Sequence, residues 1–421
     1  MTTVTDKRIF CVIVGAGMCG VALGDRLIQT GTLRHNEFII IDKNSDFGGV
    51  WKMNKYPGAA CDIPSHAYVM RCFLNPGWTK KFAEGREIQQ YYVDFARRNH
   101  LERSTVFNTV VHEARWNTSD RLWEVLVEDV LTGNKTRWIA NVIYDNGGGF
   151  HRPKYANIPG IDNFQGEQWH TAEWPKDKSL TGKRVGLIGT GPSAAQVAPK
   201  IQPDVEKLYV FQRSCGHVLP RNNHAIPPWK KLLFKICYPL LWLYHVSWFI
   251  FFDQTKGMWM NGTKKNRSMH DACLSFLERE VEDPKTREKL RPKNDFGCKR
   301  VLFLDDWYSL FNKNNVELVT EKPIRITATS IVSKTPQSLS DEERAAGPTG
   351  SYLETQEEAR TGEATREIDV LIWGTGFDMN DSGGHFQIYG EDGKSLSQKW
   401  RDYPETYWSQ CQDAFEICSG R

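Results

Sequence analysis

The sequence predicts an α/β chain built on two doubly wound parallel folds, with a helical stretch inserted into the second. Three observations predict it. A short apolar strand runs into a glycine-rich turn and a helix near the N-terminus. The same order of strand, turn and helix returns near residue 184. Between about 217 and 292 lies a stretch whose centre, Leu232 to Phe252, is strongly apolar over a length that suits helix rather than strand.

The first strand is Ile9 to Val14, apolar on both faces as a central parallel strand must be. Gly15-Ala-Gly-Met-Cys-Gly20 follows, then a helical pattern through Ile28. In this G-x-G-x-x-G turn Gly15 permits the tight reversal and Gly17 lets the backbone approach a pyrophosphate. Gly20 lets the helix pack on the strand, and the helix N-terminus carries the positive end of a dipole. A second strand, Phe38 to Ile41, ends in Asp42, placed where a carboxylate meets a ribose hydroxyl. This is a Rossmann-like dinucleotide-binding pattern. Gly48-Gly49-Val50-Trp51, then Tyr56-Pro-Gly58 and Cys61-Asp62 through Ser65, come next. Their glycines would let backbone lie against a flat ring, and they equally suit an ordered loop rich in turn residues.

Arg184 to Ile188 is the second buried strand, and Gly189-Thr-Gly191-Pro-Ser193-Ala194 its turn, with a helix from about Ala194 to Ile201. The next strand, Leu208 to Phe211, leads into Gln212-Arg213-Ser214. An arginine there, in place of an acid, pairs with a ribose 2′-phosphate and favours NADP over NAD. Two nucleotide folds imply two nucleotides, commonly a tightly held flavin and the nicotinamide that reduces it.

Composition sets outer bounds. The chain has 421 residues, enough for about two or three domains, with 40% hydrophobic and 25% charged residues. A net charge of +3 argues against nucleic acid or an acidic membrane as the main partner. The 15 Trp and 21 Phe suit stacked cofactors or plain core. The 10 cysteines form no C-x-x-C pair and no metal-like spacing, so they read as reduced thiols of a cytoplasmic protein without a bound metal. The N-terminus runs from polar residues directly into a strand, with no cleavable signal pattern. Leu232 to Phe252 contains Lys235, Pro239 and His245. It reads as a buried or interfacial helical pair hinged at Pro239 rather than a membrane span, with peripheral membrane contact as a further partner.

These residues resemble the class B flavoprotein monooxygenases, and within them the type I Baeyer–Villiger monooxygenases. The resemblance rests first on Phe164-x-Gly166-x-x-x-His170-x-x-x-Trp174-Pro175, between the two turns. Gly48-Gly-Val-Trp51, Tyr56-Pro-Gly58, Asp62 through Ser65, Tyr68 and Asp369-Val-Leu-Ile-Trp-Gly-Thr-Gly-Phe-Asp378 follow in family order, with Val50 and Gly374 departing from its pattern. The matches run from about Ile9 to Tyr407.

The resemblance implies FAD and NADPH as cofactors. It implies hydride transfer to the flavin, capture of dioxygen, and oxygen insertion beside a ketone carbonyl to give an ester or lactone. It assigns Arg300, in Phe296-Gly-Cys-Lys-Arg300, as the active-site arginine, and Lys299 as an aid to NADP binding beside Arg213 and Ser214. Asp62 would orient Arg300 and partly neutralise it. His170 would couple domains rather than act on substrate. The cofactor set is then Gly15, Gly17, Gly20, Asp42, Gly49, Trp51, Asp62 and Tyr68, with Gly189, Gly191, Ser193, Arg213, Ser214 and Lys299.

The expected domains are 1–155 with 366–421 for FAD, 156–216 with 293–365 for NADP, and 217–292 as the helical insertion, with the active site in a cleft. Two stretches depart from the family. Ser333 to Glu367 reads as a mobile polar loop. After Tyr407 the family continues through further flavin-contacting elements, whereas Asp413-Ala-Phe415 here is followed by only six residues, so the C-terminal part of the FAD domain is expected to be truncated. The alternatives are an N- or S-oxidising flavin monooxygenase and an inactive nucleotide-binding remnant. A disulfide reductase is disfavoured, since no redox C-x-x-x-x-C follows the first turn. The apolar insertion and the aromatics suggest a bulky hydrophobic ketone of polyketide or terpenoid type.

Overall fold

The computed structural model describes residues 4–150, 152–334, 362–378, 386–401, 406–407 and 410–411. The chain divides into two units, one of residues 1–53, 86–152 and 377–421, the other of 54–85 and 153–376.

The first unit begins with β1 (Thr5–Val14), which starts four residues before the expected Ile9. It then runs through α1 (Met18–Gln29), β2 (Phe38–Ile41), α2 (Val50–Met53) and α3 (Gly85–Arg98). Next come β3 (Thr105–Val106), β4 (Thr109–Asn117), β5 (Leu122–Asp129) and β6 (Lys135–Asp145). β1 lies parallel to both β2 and β6, with Val14 opposite Ile41 on one side and Asp145 on the other. Only the last four residues of β1, Cys11 to Val14, are buried, together with all of β2. That is why these segments read as apolar runs without alternation. β4, β5 and β6 form an antiparallel meander beside them, and Trp123, Val125 and Ala140 continue the core from Val12 and Ile39.

The second unit is built on β7 (Glu167–His170), β8 (Arg184–Ile188), α4 (Pro192–Ile201), β9 (Lys207–Phe211) and β10 (Val218–Leu219). The helical insertion follows as α5 (Pro228–Ile236), α6 (Tyr238–Gln254), α7 (Lys256–Trp259), α8 (Lys264–Glu280) and α9 (Pro284–Leu290). Then come β11 (Leu302–Phe303), β12 (Val316–Val319), β13 (Lys322–Ile326), β14 (Ser330–Lys334), β15 (Glu363–Glu367) and β16 (Val370–Trp373). Its main sheet is parallel, in the order β12-β9-β8-β16-β7. The chain re-enters the first unit with β17 (Gln387–Tyr389), parallel to β4, and α10 (Leu396–Lys399). The short strands β18 (Thr406–Tyr407) and β19 (Gln410–Cys411) pair with each other.

Four expectations are revised. The return to the first unit comes at 377 rather than 366, because Val370 to Trp373, wholly buried, is inserted between β7 and β8 of the second sheet. Residues 54–85 belong with the second unit rather than the first. The ends of the Ser333–Glu367 stretch are not loop: β14 and β15 pair antiparallel, Lys334 opposite Glu363. The middle of that stretch, 335–361, lies outside the described residues, as do 402–405 and 412–421, where most of the C-terminal departure falls. Finally, the bend in the apolar segment, 110°, falls at Cys237. Pro239 sits instead in the first turn of α6, where its missing N–H removes no helical hydrogen bond. Among the described residues no single helix is long and apolar enough to cross a membrane.

Candidate active site

The two glycine turns share one construction. In the first, the Gly15 N–H donates to the Ile41 carbonyl and the Asn146 N–H to the Val14 carbonyl. In the second, the Gly189 N–H donates to Phe211 and the Gly374 N–H to Ile188. Gly15 and Gly189 both have positive φ, +98° and +112°. A Cβ on Gly15 would lie 2.6 Å from the Asn146 carbonyl oxygen, and one on Gly189 2.3 Å from that of Gly374. Only glycine meets both demands.

Gly17 and Gly191 are the N-caps of α1 and α4. Both are extended, and neither helix has a capping side chain or an acidic residue in its first turn. Their N-terminal amide donors are therefore left for an anion. A Cβ on Gly191 would meet nothing within 4 Å, so the backbone there is open to close approach. Gly20 is buried on the first turn of α1. Gly49, at φ +52°, presses on Gly17, where a Cβ would come within 2.8 Å of its Cα. Gly49 is thus required by backbone packing against the turn, while a Cβ on Gly48, at φ +124°, would meet the Gln89 side chain at 2.7 Å. Trp51 is half-buried on α2. On both turns the uncapped helix N-terminus fits a dinucleotide pyrophosphate, and on the second the backbone at Gly191 is also open to it.

The strands following the turns end differently. Asp42 is buried, and its Oδ2 accepts from the Ala16 N–H at 2.6 Å while Oδ1 accepts from the Asn44 backbone at 2.7 Å. Its carboxylate therefore ties down the glycine turn as well as standing where a ribose is expected. In the second fold the register places Gln212, not Arg213, opposite Asp42: Asp42 N–H donates to Val106 and Gln212 N–H to Val319. Gln212 turns away and donates to the Lys289 carbonyl at 2.8 Å. Arg213 follows it, exposed, with no ion pair or hydrogen bond among the described residues. The Ser214 carbonyl accepts from the Thr190 hydroxyl, joining this segment to the turn.

The second unit also brings Arg300 and Asp62 together, although they are 238 residues apart in sequence: an Arg300 guanidinium nitrogen donates to Asp62 Oδ2 at 2.7 Å. The Asp62 side chain is 19% exposed and that of Arg300 60%. The Leu302 N–H donates to the His217 carbonyl, and the Arg300 carbonyl lies against Gly216. This places Lys299 and Arg300 beside the segment that follows Arg213. Burial raises the Cys215 thiol pKa, and the Lys299 charge opposes that rise, so Lys299 is also near.

Tyr56 and a residue not singled out from the sequence, Gln196, hold the pair in place. Gln196 on α4 accepts from the Tyr56 hydroxyl at 3.1 Å and donates to the Ala60 carbonyl at 2.9 Å, fixing the segment that leads to Asp62. Burial raises the Tyr56 pKa, while its bond to Ser193 and the charge of Arg300 lower it, so Tyr56 stands between the second turn and the pair. A glutamine among Ala194, Ala195, Val197 and Ala198 was the available signal. Tyr68 N–H closes a turn onto the Pro64 carbonyl.

The Phe164–Pro175 segment forms the edge of the same sheet. β7 pairs with β16, and a Cβ on Gly166 would lie 2.4 Å from the Asp369 carbonyl oxygen. His170 is fully buried. Its Nδ1 accepts from the Ala172 N–H at 3.1 Å, and its ring is also bonded to the Gly376 backbone, the last residue of the unit. Burial lowers its pKa. Trp169 and Trp174 meet edge to face at 5.7 Å.

Residues 6–268 match the family model described as flavin-binding monooxygenase-like. The chain belongs to this family. This flavin-binding monooxygenase is 39% identical over 413 residues to the FAD-binding monooxygenase BOA2 of Botryotinia fuckeliana, covering 96% of this chain and 72% of that one. It is 32% identical over 417 residues to a Baeyer-Villiger monooxygenase of Pseudomonas aeruginosa, covering 96% and 70%. Among solved structures, cyclohexanone monooxygenase from Rhodococcus sp. Phi1 bound to NADP+ superimposes with a TM-score of 0.76 at 27% identity, over 96% of this chain and 77% of that one. OTEMO in complex with FAD and NADP gives 0.78 at 26%, over 97% and 79%. This monooxygenase is therefore an FAD- and NADPH-dependent enzyme of the Baeyer–Villiger type, which inserts one atom of dioxygen beside a ketone carbonyl.

Proposed function

We propose that Arg300 is the active-site cation and Asp62 the carboxylate that aims it. The observation that carries this is the 2.7 Å bond between them, within the unit that also holds the second turn. When bound, FAD reduced by NADPH would supply the electrons that activate dioxygen, one atom of which is transferred while the other leaves as water. Arg300 contributes a fixed positive charge where negative charge develops, and its bond to Asp62 occupies only one face of the guanidinium. Asp62, itself held through Tyr56, Ala60 and Gln196, keeps that charge in position before substrate arrives.

In this reading Gly15, Gly17, Gly20, Asp42, Gly49 and Trp51 hold FAD on the first unit, and Asp62 and Tyr68 are cofactor-binding residues of the second. Gly189, Gly191, Ser193, Arg213, Ser214 and Lys299 hold NADPH on the second, with Arg213 and Lys299 meeting the 2′-phosphate. The substrate is a bulky hydrophobic ketone of polyketide or terpenoid type, and the exposed apolar side chains of 232–252 support a peripheral lipid contact as a further partner. Purified protein is expected to be yellow, to bleach anaerobically with NADPH, and to convert large apolar ketones in a panel to products one oxygen atom heavier. Products limited to N-oxides or sulfoxides would refute the ketone assignment, and absence of bleaching would refute the cofactor sites.

A further inference from the structure

Of the twenty-three large hydrophobic side chains exposed among the described residues, thirteen lie between Trp229 and Met260. They include Trp229, Leu232, Ile236, Leu243, Phe249 and Phe251, each 51–75% exposed. From Tyr238 to Phe252 there is no Asp, Glu, Lys or Arg, yet only Leu241 and His245 of α6 are buried. A helix apolar on all sides and covered on one stripe leaves the rest in search of an apolar phase.

The helix pair is firmly seated on its inner side. Phe234 and Leu241 pack with Leu74. His245 Nδ1 lies 2.7 Å from the His66 carbonyl, and the His66 ring meets Phe234 and Tyr244 edge-on at 5.3 and 5.2 Å. The exposed faces are therefore fixed in direction by a packed root, which begins four residues after Asp62.

Charge around this face decides what covers it. Pro228 to Arg267 carries seven basic residues, three of them on α5 (Lys230, Lys231 and Lys235), against the single acid Asp253. Asp253 is itself paired with Lys256 at 2.6 Å. This local excess is larger than the +3 of the whole chain. A second copy would set two such cationic faces against each other. An anionic bilayer offers both the apolar interior and the opposite charge, and Trp229, Tyr238 and Trp259 are the residue types that sit at its interface. The 110° bend lets the pair lie in that interface without spanning it.

We propose that the face from Trp229 to Met260 docks this enzyme on an anionic lipid bilayer. The proposal rests on the lipid contact already read for 232–252 and adds the extent of the face and the charge of the lipid. Lysines of α5 meet the headgroup phosphates, while the apolar side chains enter the acyl boundary, the phase into which a bulky apolar ketone partitions.

The test is flotation of the flavin-loaded full chain with vesicles of phosphatidylcholine alone or with about one-third phosphatidylserine. Binding is expected to be about tenfold tighter to the anionic vesicles and to weaken as salt rises. The double variant Trp229→Glu/Ile236→Glu is expected to lose binding while keeping flavin content, melting temperature and NADPH oxidation. Lys231→Glu/Lys235→Glu is expected to lose the preference for anionic lipid. Equal binding to both vesicle types would overturn the anionic assignment while leaving the lipid contact of 232–252 standing. Binding to neither would overturn both. Undiminished binding by the Trp229/Ile236 variant, or a dimer that this variant dissolves, would also overturn the proposal.

Discussion

The two glycine turns are nearly superimposable in logic and opposite in what they leave unfinished. Each has a glycine at positive φ pressed against a carbonyl from a third strand, and each opens an uncapped helix N-terminus. The first turn closes on its own acid: Asp42 is buried and its two oxygens accept from Ala16 and Asn44. The second has Gln212 at the matching place, turned away, and then an exposed Arg213. The acid after the first turn is bonded within the protein, whereas the arginine after the second is left exposed. That contrast fits a resident cofactor in the first and a diffusible one in the second.

The largest expected effect tests whether chemistry belongs to the second unit. Arg300→Met removes the fixed charge and leaves Asp62 without its partner; a drop in kcat of roughly 10²–10³-fold is expected, with NADPH binding retained. Steady-state kinetics with a ketone turned over by the parent enzyme checks this, and a loss under tenfold would move the active-site cation elsewhere.

Acidification sharpens the comparison next. His66 and His217 are buried in the second unit, and burial lowers both to about 4, with Lys230 adding to the effect on His66 and His270 on His217. Since their folded pKa lies below the unfolded value near 6.5, the unfolded chain binds more protons between these limits. Stability is therefore full above about pH 6.5 and falls as pH drops towards about 4, by up to about 3 kcal/mol for His66. Melting curves across that range measure the slope, and His66→Phe is expected to flatten it.

Asp42→Ala leaves the buried Ala16 amide without its acceptor. A loss of about 1–3 kcal/mol is expected, together with weaker flavin retention. Differential scanning fluorimetry and the flavin-to-protein absorbance ratio read both effects. Arg213→Ala is expected to do the reverse: no change in melting temperature, but a KM for NADPH raised about tenfold, near 1.4 kcal/mol, with KM for NADH unmoved. If Asp42→Ala were silent and Arg213→Ala destabilising, the contrast between the turns would collapse.

Much of this was legible in the chain because it depends on local order. A buried strand, a glycine turn and a helix follow one another within about thirty residues, so β1 to α1 and β8 to α4 could be placed to within a few residues, the largest miss being the start of β1 at Thr5. Arg300 was legible only through family resemblance, since a lone arginine in a polar loop carries no local signal. Three features were out of reach. The place of β16 depends on strands nearly two hundred residues earlier. The equivalence of Gln212 with Asp42 depends on sheet register. The support of Asp62 by Gln196 depends on a helix packing across a loop. Composition likewise suggested an apolar helical pair but could not say which side is covered.

By itself, the sequence determined two nucleotide turns, their order and the family to which they belong, because steric rules bind neighbours in the chain. The tertiary structure alone decided that Asp62 meets Arg300, that Asp42 completes its own turn while Arg213 stays open, and that α5 and α6 turn their apolar sides outward. Those outcomes depend on which distant surfaces exclude water from one another, and no local pattern encodes that.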